Sequence, residues 1–118
     1  MSEAHALGKS GEEAAIAYLK KKKFRIVCRG FRFHRGEIDI IAYDKDALVF
    51  IEVKTRQSLE FGLPEESVTP LKQQQIRRLA EAYVAMNNLY DSPCRFDILS
   101  LFYSQTNGYQ IRHLQDAF

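Results

Sequence analysis

Two cysteines stand in 118 residues, with no CxxC pair, Cys/His cluster or zinc-type spacing around them. That excludes a disulfide-stapled scaffold or a zinc module as the organising principle. Cys28 and Cys94 fall inside apolar segments and read as two buried free thiols in a reducing compartment. No apolar run approaches the roughly 20 residues of a membrane helix. The first residues are polar and Ala/Gly-rich rather than the apolar heart of a secretory leader. A cytoplasmic protein without membrane contact is the expectation. An excess of one charge is missing too. Lys plus Arg total 17 and Asp plus Glu 15, so only local clustering can point to nucleic acid. Repeats and low-complexity tracts are absent. What remains is a chain with 46% hydrophobic residues, expected to fold as a single domain over residues 1–118 with a core that needs no staples.

Residues 8–22 show helical patterning. Ser10 is placed to cap it, Glu12 and Glu13 fall in its first turn, Ala15, Ile16 and Leu19 form the apolar stripe, and Lys20–Lys23 close it. Three strand-like runs follow, Phe24–Phe33 with a bulge or bend at Gly30, Glu37–Tyr43, and Ala47–Lys54, the last two joined by a turn at Asp44–Asp46. The stretch Thr55–Val68 lacks periodicity and reads as a functional or mobile loop. Thr69 caps a second helix with Pro70 at its first position and an apolar face of Ile76, Leu79, Ala80, Tyr83 and Val84. Asn87–Asn88 stop it. Two more strands, Arg95–Tyr103 and Tyr109–Leu114, flank a turn at Gln105–Gly108. Helix, three strands, helix, two strands predicts an α/β fold, a mixed sheet with helices packed on it.

The chemistry lies in the second and third strands, Gly36-Glu-Ile-Asp-Ile-Ile-Ala42 and Val49-Phe-Ile-Glu-Val-Lys-Thr-Arg56. Asp39, Glu52 and Lys54 sit among large apolar residues, where charge is costly unless compensated. Alternation puts Glu52 and Lys54 on one face, and Glu37 with Asp39 on one face. A tight hairpin register would bring the Asp39 and Glu52 regions together. A solvated cross-strand charge pair fits this pattern as well. A divalent cation is the compensation that also yields chemistry, since Mg²⁺ takes hard oxygen ligands and activates water and phosphate.

Gly36-Glu-Ile-Asp39 followed by Phe50-Ile-Glu-Val-Lys-Thr-Arg56 resembles the PD-(D/E)XK nuclease signature. The version is that of the YraN family of small bacterial proteins, itself similar to the archaeal Holliday junction resolvases. Gly8-Lys-Ser-Gly-Glu12, Phe61-Gly62, Thr69-Pro-Leu-Lys72 and Arg95-Phe-Asp97 extend the resemblance over most of the chain. Ile38 stands where the signature has its Pro, and Gly30 where the family often has Asn. The resemblance implies a restriction-endonuclease-like fold, a mixed five-stranded sheet flanked by helices. It implies Mg²⁺ (or Mn²⁺) on Asp39, Glu52 and the Val53 carbonyl, with Lys54 as catalytic lysine and Glu12 as the extra acidic residue. The implied activity is phosphodiester hydrolysis in DNA, in branched or structured form on the resolvase likeness. A nucleic-acid-binding module that does not cleave is the alternative. A homodimer is left open, because resolvase-like relatives work as two-fold dimers.

Other residues are weaker pointers. Helical spacing aligns Glu12 rather than Glu13 with the sheet-facing stripe, although first-turn dipole stabilisation would explain it equally well. Lys72 lies one turn before Ile76 and can reach the site face, or stand in solvent. Gln75 lines up with Leu79. Asp97 reads as structural, a partner for Arg95 or Arg56. Arg32, Arg35 and Arg56 adjoin the acidic motif and are candidates, with Lys72, for phosphate contacts. His34 reads as a surface histidine.

Overall fold

The structure, a computed structural model, describes residues 3–58 and 62–118, with side chains from residue 10 onward. Phe61 of the loop motif lies outside the described residues, as do the side chains of Gly8-Lys9.

The elements are α1 (Glu3–Lys21), β1 (Arg25–Phe33), β2 (Gly36–Asp44), β3 (Ala47–Arg56), a 3₁₀ turn at Pro64–Ser67, α2 (Pro70–Met86), β4 (Cys94–Ser104) and β5 (Gly108–Leu114). The five strands form one sheet in chain order. β3 and β4 run parallel, and every other neighbouring pair is antiparallel. This is the mixed five-stranded sheet of an α/β, restriction-endonuclease-like fold. No helix among the described residues is long and apolar enough to cross a membrane.

The two helices cover opposite faces of the sheet. Ala15, Ile16 and Leu19 of α1 pack on Ile40, Ala42, Val49, Ile51, Leu99 and Leu101. Ile76, Leu79 and Ala80 of α2 pack on Ile38, Ile41, Leu48, Phe50 and Ile98. The run Leu48–Ile51 is fully buried, as expected of a central strand covered on both sides.

Three expectations are corrected. Ser10 is not a cap: α1 begins at Glu3, so Ser10 lies mid-helix and Glu12 and Glu13 lie beyond the first turn. The dipole explanation for Glu12 therefore lapses. The cysteines are not both buried: Cys28 is half-buried and Cys94 exposed, and both are free. Cys94 opens β4 at its rim, where the sheet does not yet cover it. The segment after Thr55 is not structureless: β3 runs on to Arg56, and the Pro64–Ser67 turn is anchored to the sheet. Ser100 Oγ donates to Glu65 Oε1 at 2.8 Å, and Arg112 pairs with the other Glu65 oxygen.

Thr69 caps α2, its Oγ1 accepting from Lys72 N at 3.3 Å, and Asn87 ends the helix.

One close approach sets the depth of α1. A Cβ on Gly11 would overlap the Thr55 hydroxyl and lie 3.3 Å from Thr55 Cβ and Cγ2. Thr55 carries two heavy atoms on Cβ in any rotamer, so rotation does not clear the space. Gly11→Ala gains about 1 kcal/mol of helix propensity but meets about 1–3 kcal/mol of overpacking. The variant is expected to lower stability in urea unfolding, and adding Thr55→Ala to reverse the sign. A loss that persists in the double variant would show that the contact is not the cause.

Candidate functional site

The β2–β3 ladder runs from Asp44↔Ala47 to Ile40↔Ile51 and stops there. The next position of β2 is Asp39, and its Oδ2 accepts a hydrogen bond from Val53 N at 2.8 Å. A side chain has taken the place of a backbone partner where the strands fork. Strict alternation also breaks here. Ile38 belongs to the α2-side core and Ile40 to the α1-side core. Opposite Asp39 in the β1 register stands Gly30, with φ +66°, a left-handed conformation that glycine adopts without penalty. Gly30 is thus a kink, and the register shift of β1 falls at Val27 instead. The Ile40↔Ile51 register continued by one step sets Asp39 across from Glu52, and the two carboxylates interact.

Around this pair converge groups from both helices. Lys54 Nζ lies 3.8 Å from Glu52 Oε2, and Lys72 Nζ of α2 lies 4.0 Å from the same oxygen. Glu12 of α1 is half-buried and electrostatically coupled to Asp39. The tight seat at Gly11 places it there. Glu13 is exposed and pairs with Arg29 at 2.8 Å.

The electrostatics are those of excess negative charge in a poorly solvated place. Glu52 is only 3% exposed. Burial, then the neighbouring Asp39, push its pKa up to about 7 against the pull of Lys72 and Lys54. Asp39 is raised as well, by burial first and against the Val53 hydrogen bond. Glu12 is raised by burial and then by Asp39. A carboxyl whose folded pKa lies above its unfolded value contributes full stability below the unfolded pKa and loses it as pH rises. For Glu52 the window is pH 4.5 to about 7, at a limiting slope of about 1.4 kcal/mol per pH unit. In chelator, Glu52→Gln is expected to remove most of the stability loss that the wild type shows between pH 5 and pH 8. Parallel pH profiles from denaturant titration would reject this account.

The donor chemistry suits a hard divalent cation. Among the described residues no three His, Cys, Asp or Glu side chains enclose an ion by themselves. Two carboxylates with a backbone carbonyl leave the remaining positions to water, the usual habit of Mg²⁺. Positive charge between Asp39 and Glu52 would offset the burial that raises both and the Asp39 charge that raises Glu52 further.

The remaining candidates are spread more widely. Arg35 is exposed at the β1–β2 turn and shares a cleft with Lys72 and Gln75. Arg32 is 79% exposed and 3.7 Å from Glu37. Arg56 sits at the end of β3, and its Nη1 donates to the Thr55 carbonyl. Asp97 is fully buried and bonds Arg95 rather than Arg56. His113, one of three histidines scattered along the sequence, belongs to this network. Its Nε2 lies 2.7 Å from Asp97 Oδ2, and its Nδ1 lies 3.2 Å from the Tyr18 hydroxyl. Glu65 was missed, for no local pattern announces a carboxylate on a loop that bonds two strands.

Comparison with known proteins agrees with this geometry in extent. The sequence profile of the Uncharacterised protein family UPF0102 matches residues 11–101, which hold every residue of the carboxylate cluster. A UPF0102 protein of Geotalea uraniireducens is 45% identical over 113 residues, covering 96% of this chain and 89% of that protein. One from Chlorobaculum tepidum is 49% identical over 120 residues, covering 95% and 91%. One from Chlorobium limicola is 45% identical over 119 residues, covering 97% and 92%. With a profile match across most of its length and relatives this similar end to end, the chain belongs to the UPF0102 family.

Proposed function

We propose that the protein is a metal-dependent nuclease that hydrolyses phosphodiester bonds in DNA. One observation carries the reading: Asp39 and Glu52 meet at the β2–β3 fork with the Lys54 ammonium 3.8 Å from Glu52. Buried acids are costly without a compensating cation, and a lysine beside them is what phosphoryl chemistry needs. Asp39, Glu52 and the Val53 carbonyl would hold the ion. When bound, Mg²⁺ or Mn²⁺ supplies Lewis-acid polarisation of a phosphoryl oxygen and acidity to water.

The residues of the chain do the rest. Val53 N–H holds the Asp39 carboxylate through Oδ2. Lys54 stands where it can stabilise charge developing on the phosphate or orient the attacking water. Lys72 offers a second cation on the α2 side, and Glu12 a proton acceptor on the α1 side. Exposed Arg32 and Arg35 and half-buried Arg56 supply positive charge for flanking phosphates, contacts that position the strand without reading its sequence.

The test is a cleavage assay in Mg²⁺ and in Mn²⁺ over single-stranded, duplex, flapped and four-way DNA. Lys54→Ala is expected to lower the rate by about 10²-fold or more. Cleavage that survives the substitution would belong to a contaminant.

A further inference from the structure

Beside the carboxylate cluster, a cleft of about 700 Å³ opens between the tip of the β1–β2 hairpin and α2. Its floor is shut. A Cβ on Gly36 would come within 2.8 and 2.9 Å of the Leu79 methyl carbons, so the start of β2 rests directly on the helix there. Lys72, Arg78, His34 and Arg35 line the walls. Lys72 also reaches to 4.0 Å from Glu52, so one side chain belongs to both cleft and cluster. At the mouth Phe33 is 36% exposed. The His34 ring stands edge-on to it, with centroids 4.3 Å apart. His34 is held out at the turn with φ 56°.

We propose that this cleft holds an unpaired nucleotide of the substrate strand. Its base stacks on the Phe33 ring with His34 beside it, and its flanking phosphates lie on Arg35 and Arg78. The volume falls within the roughly 300–1,000 Å³ typical of clefts for small ligands, enough for a base with its sugar and too little for a double helix. The aromatic face decides the class. Bases in a duplex already cover each other's faces, so an exposed ring beside cations is of use only to a base out of the stack. The proposal rests on the nuclease reading for the identity of the ligand as substrate. It deepens that reading to nucleic acid carrying a single-stranded segment, such as a free strand, a flap or a branch point.

Binding measured in chelator separates this from cleavage. Fluorescence anisotropy of end-labelled oligonucleotides would compare a single strand, a flapped duplex and a blunt duplex of equal length. The single strand and the flap are expected to bind about tenfold tighter than the blunt duplex. A 2-aminopurine base in the single strand should be quenched on binding. Phe33→Ala should abolish both the preference and the quenching, and Phe33→Tyr, which keeps the ring, should retain them. Equal affinity for strand and duplex, or a preference untouched by Phe33→Ala, would overturn the proposal even if metal-dependent cleavage is found. Preferential single-strand binding without any cleavage would uphold the cleft and reject the nuclease.

Discussion

In chelator an Asp39→Asn variant is expected to be more stable than the wild type, and in Mg²⁺ or Mn²⁺ the order is expected to invert. Asparagine keeps a carbonyl oxygen to accept the Val53 N–H, now made by Asp39 Oδ2 at 2.8 Å, so no backbone donor is orphaned. It removes an acid that burial raises and whose charge raises its neighbour Glu52. Relief of such functional strain is commonly worth about 0.5–2 kcal/mol. A cation bound only by the folded wild type contributes about 2.7 kcal/mol at a hundred times its dissociation constant. That exceeds the strain, so the ranking should change. Metal-dependent cleavage should fall by more than about 10²-fold, because losing a ligand outweighs the 10–100-fold cost of losing a group that merely supports one. Thermal unfolding with and without metal provides the first readout and the cleavage rate the second. Identical metal-induced shifts in variant and wild type would remove Asp39 from the centre.

The largest effect on stability is expected at Asp97. Its carboxylate is fully buried and satisfies three partners. Arg95 donates through Nε and Nη2 at 2.9 and 3.0 Å. The His113 ring lies 2.7 Å away, and Asp116 N donates at 3.0 Å. Burial alone would raise its pKa, but the bonds from His113, Arg95 and Asp116 N hold it below the ordinary carboxylate value. The network ties β4 to β5 and, through Tyr18 and His113, to α1. Asp97→Ala takes the acceptor from Arg95 Nε and Nη2, the His113 ring and the Asp116 amide, leaving Arg95 only its Nη1 bond to Asp44 at 3.0 Å. Breaking a buried pair from one side costs about 3–5 kcal/mol, a large part of the 5–15 kcal/mol that holds a typical domain. Urea unfolding at neutral pH should show this loss. The sign with pH is opposite to that of Glu52. The contribution of Asp97 is present above its unfolded pKa of about 3.8 and disappears as pH falls through the lower folded value. A cost below about 1 kcal/mol would show that the network does not hold the fold.

Much of this architecture could be read along the chain. The stripe Ala15, Ile16, Leu19 and the face Ile76, Leu79, Ala80 mark helices by their period. The apolar runs around Ile40 and Phe50 mark strands, and turn residues separate them. The start of α1 was misplaced because Ser10 and Gly11 resemble a helix boundary. Gly11 is instead a contact point with Thr55, which no local pattern reveals. Cys94 stands between Pro93 and Arg95, and its exposure depends on where β4 enters the sheet.

The chain's own order determined the α/β class, the family, and which acids and lysines stand on adjacent strands, because periodicity and motif spacing are properties of consecutive residues. Tertiary structure alone decided how those residues meet. The ladder stops at Ile40–Ile51, Gly30 kinks opposite Asp39, and Glu12, Lys72 and the Phe33–His34 cleft arrive from three separate elements. Convergence of this kind depends on where strands part and how closely helices settle, and those distances are set by packing between segments far apart in the chain.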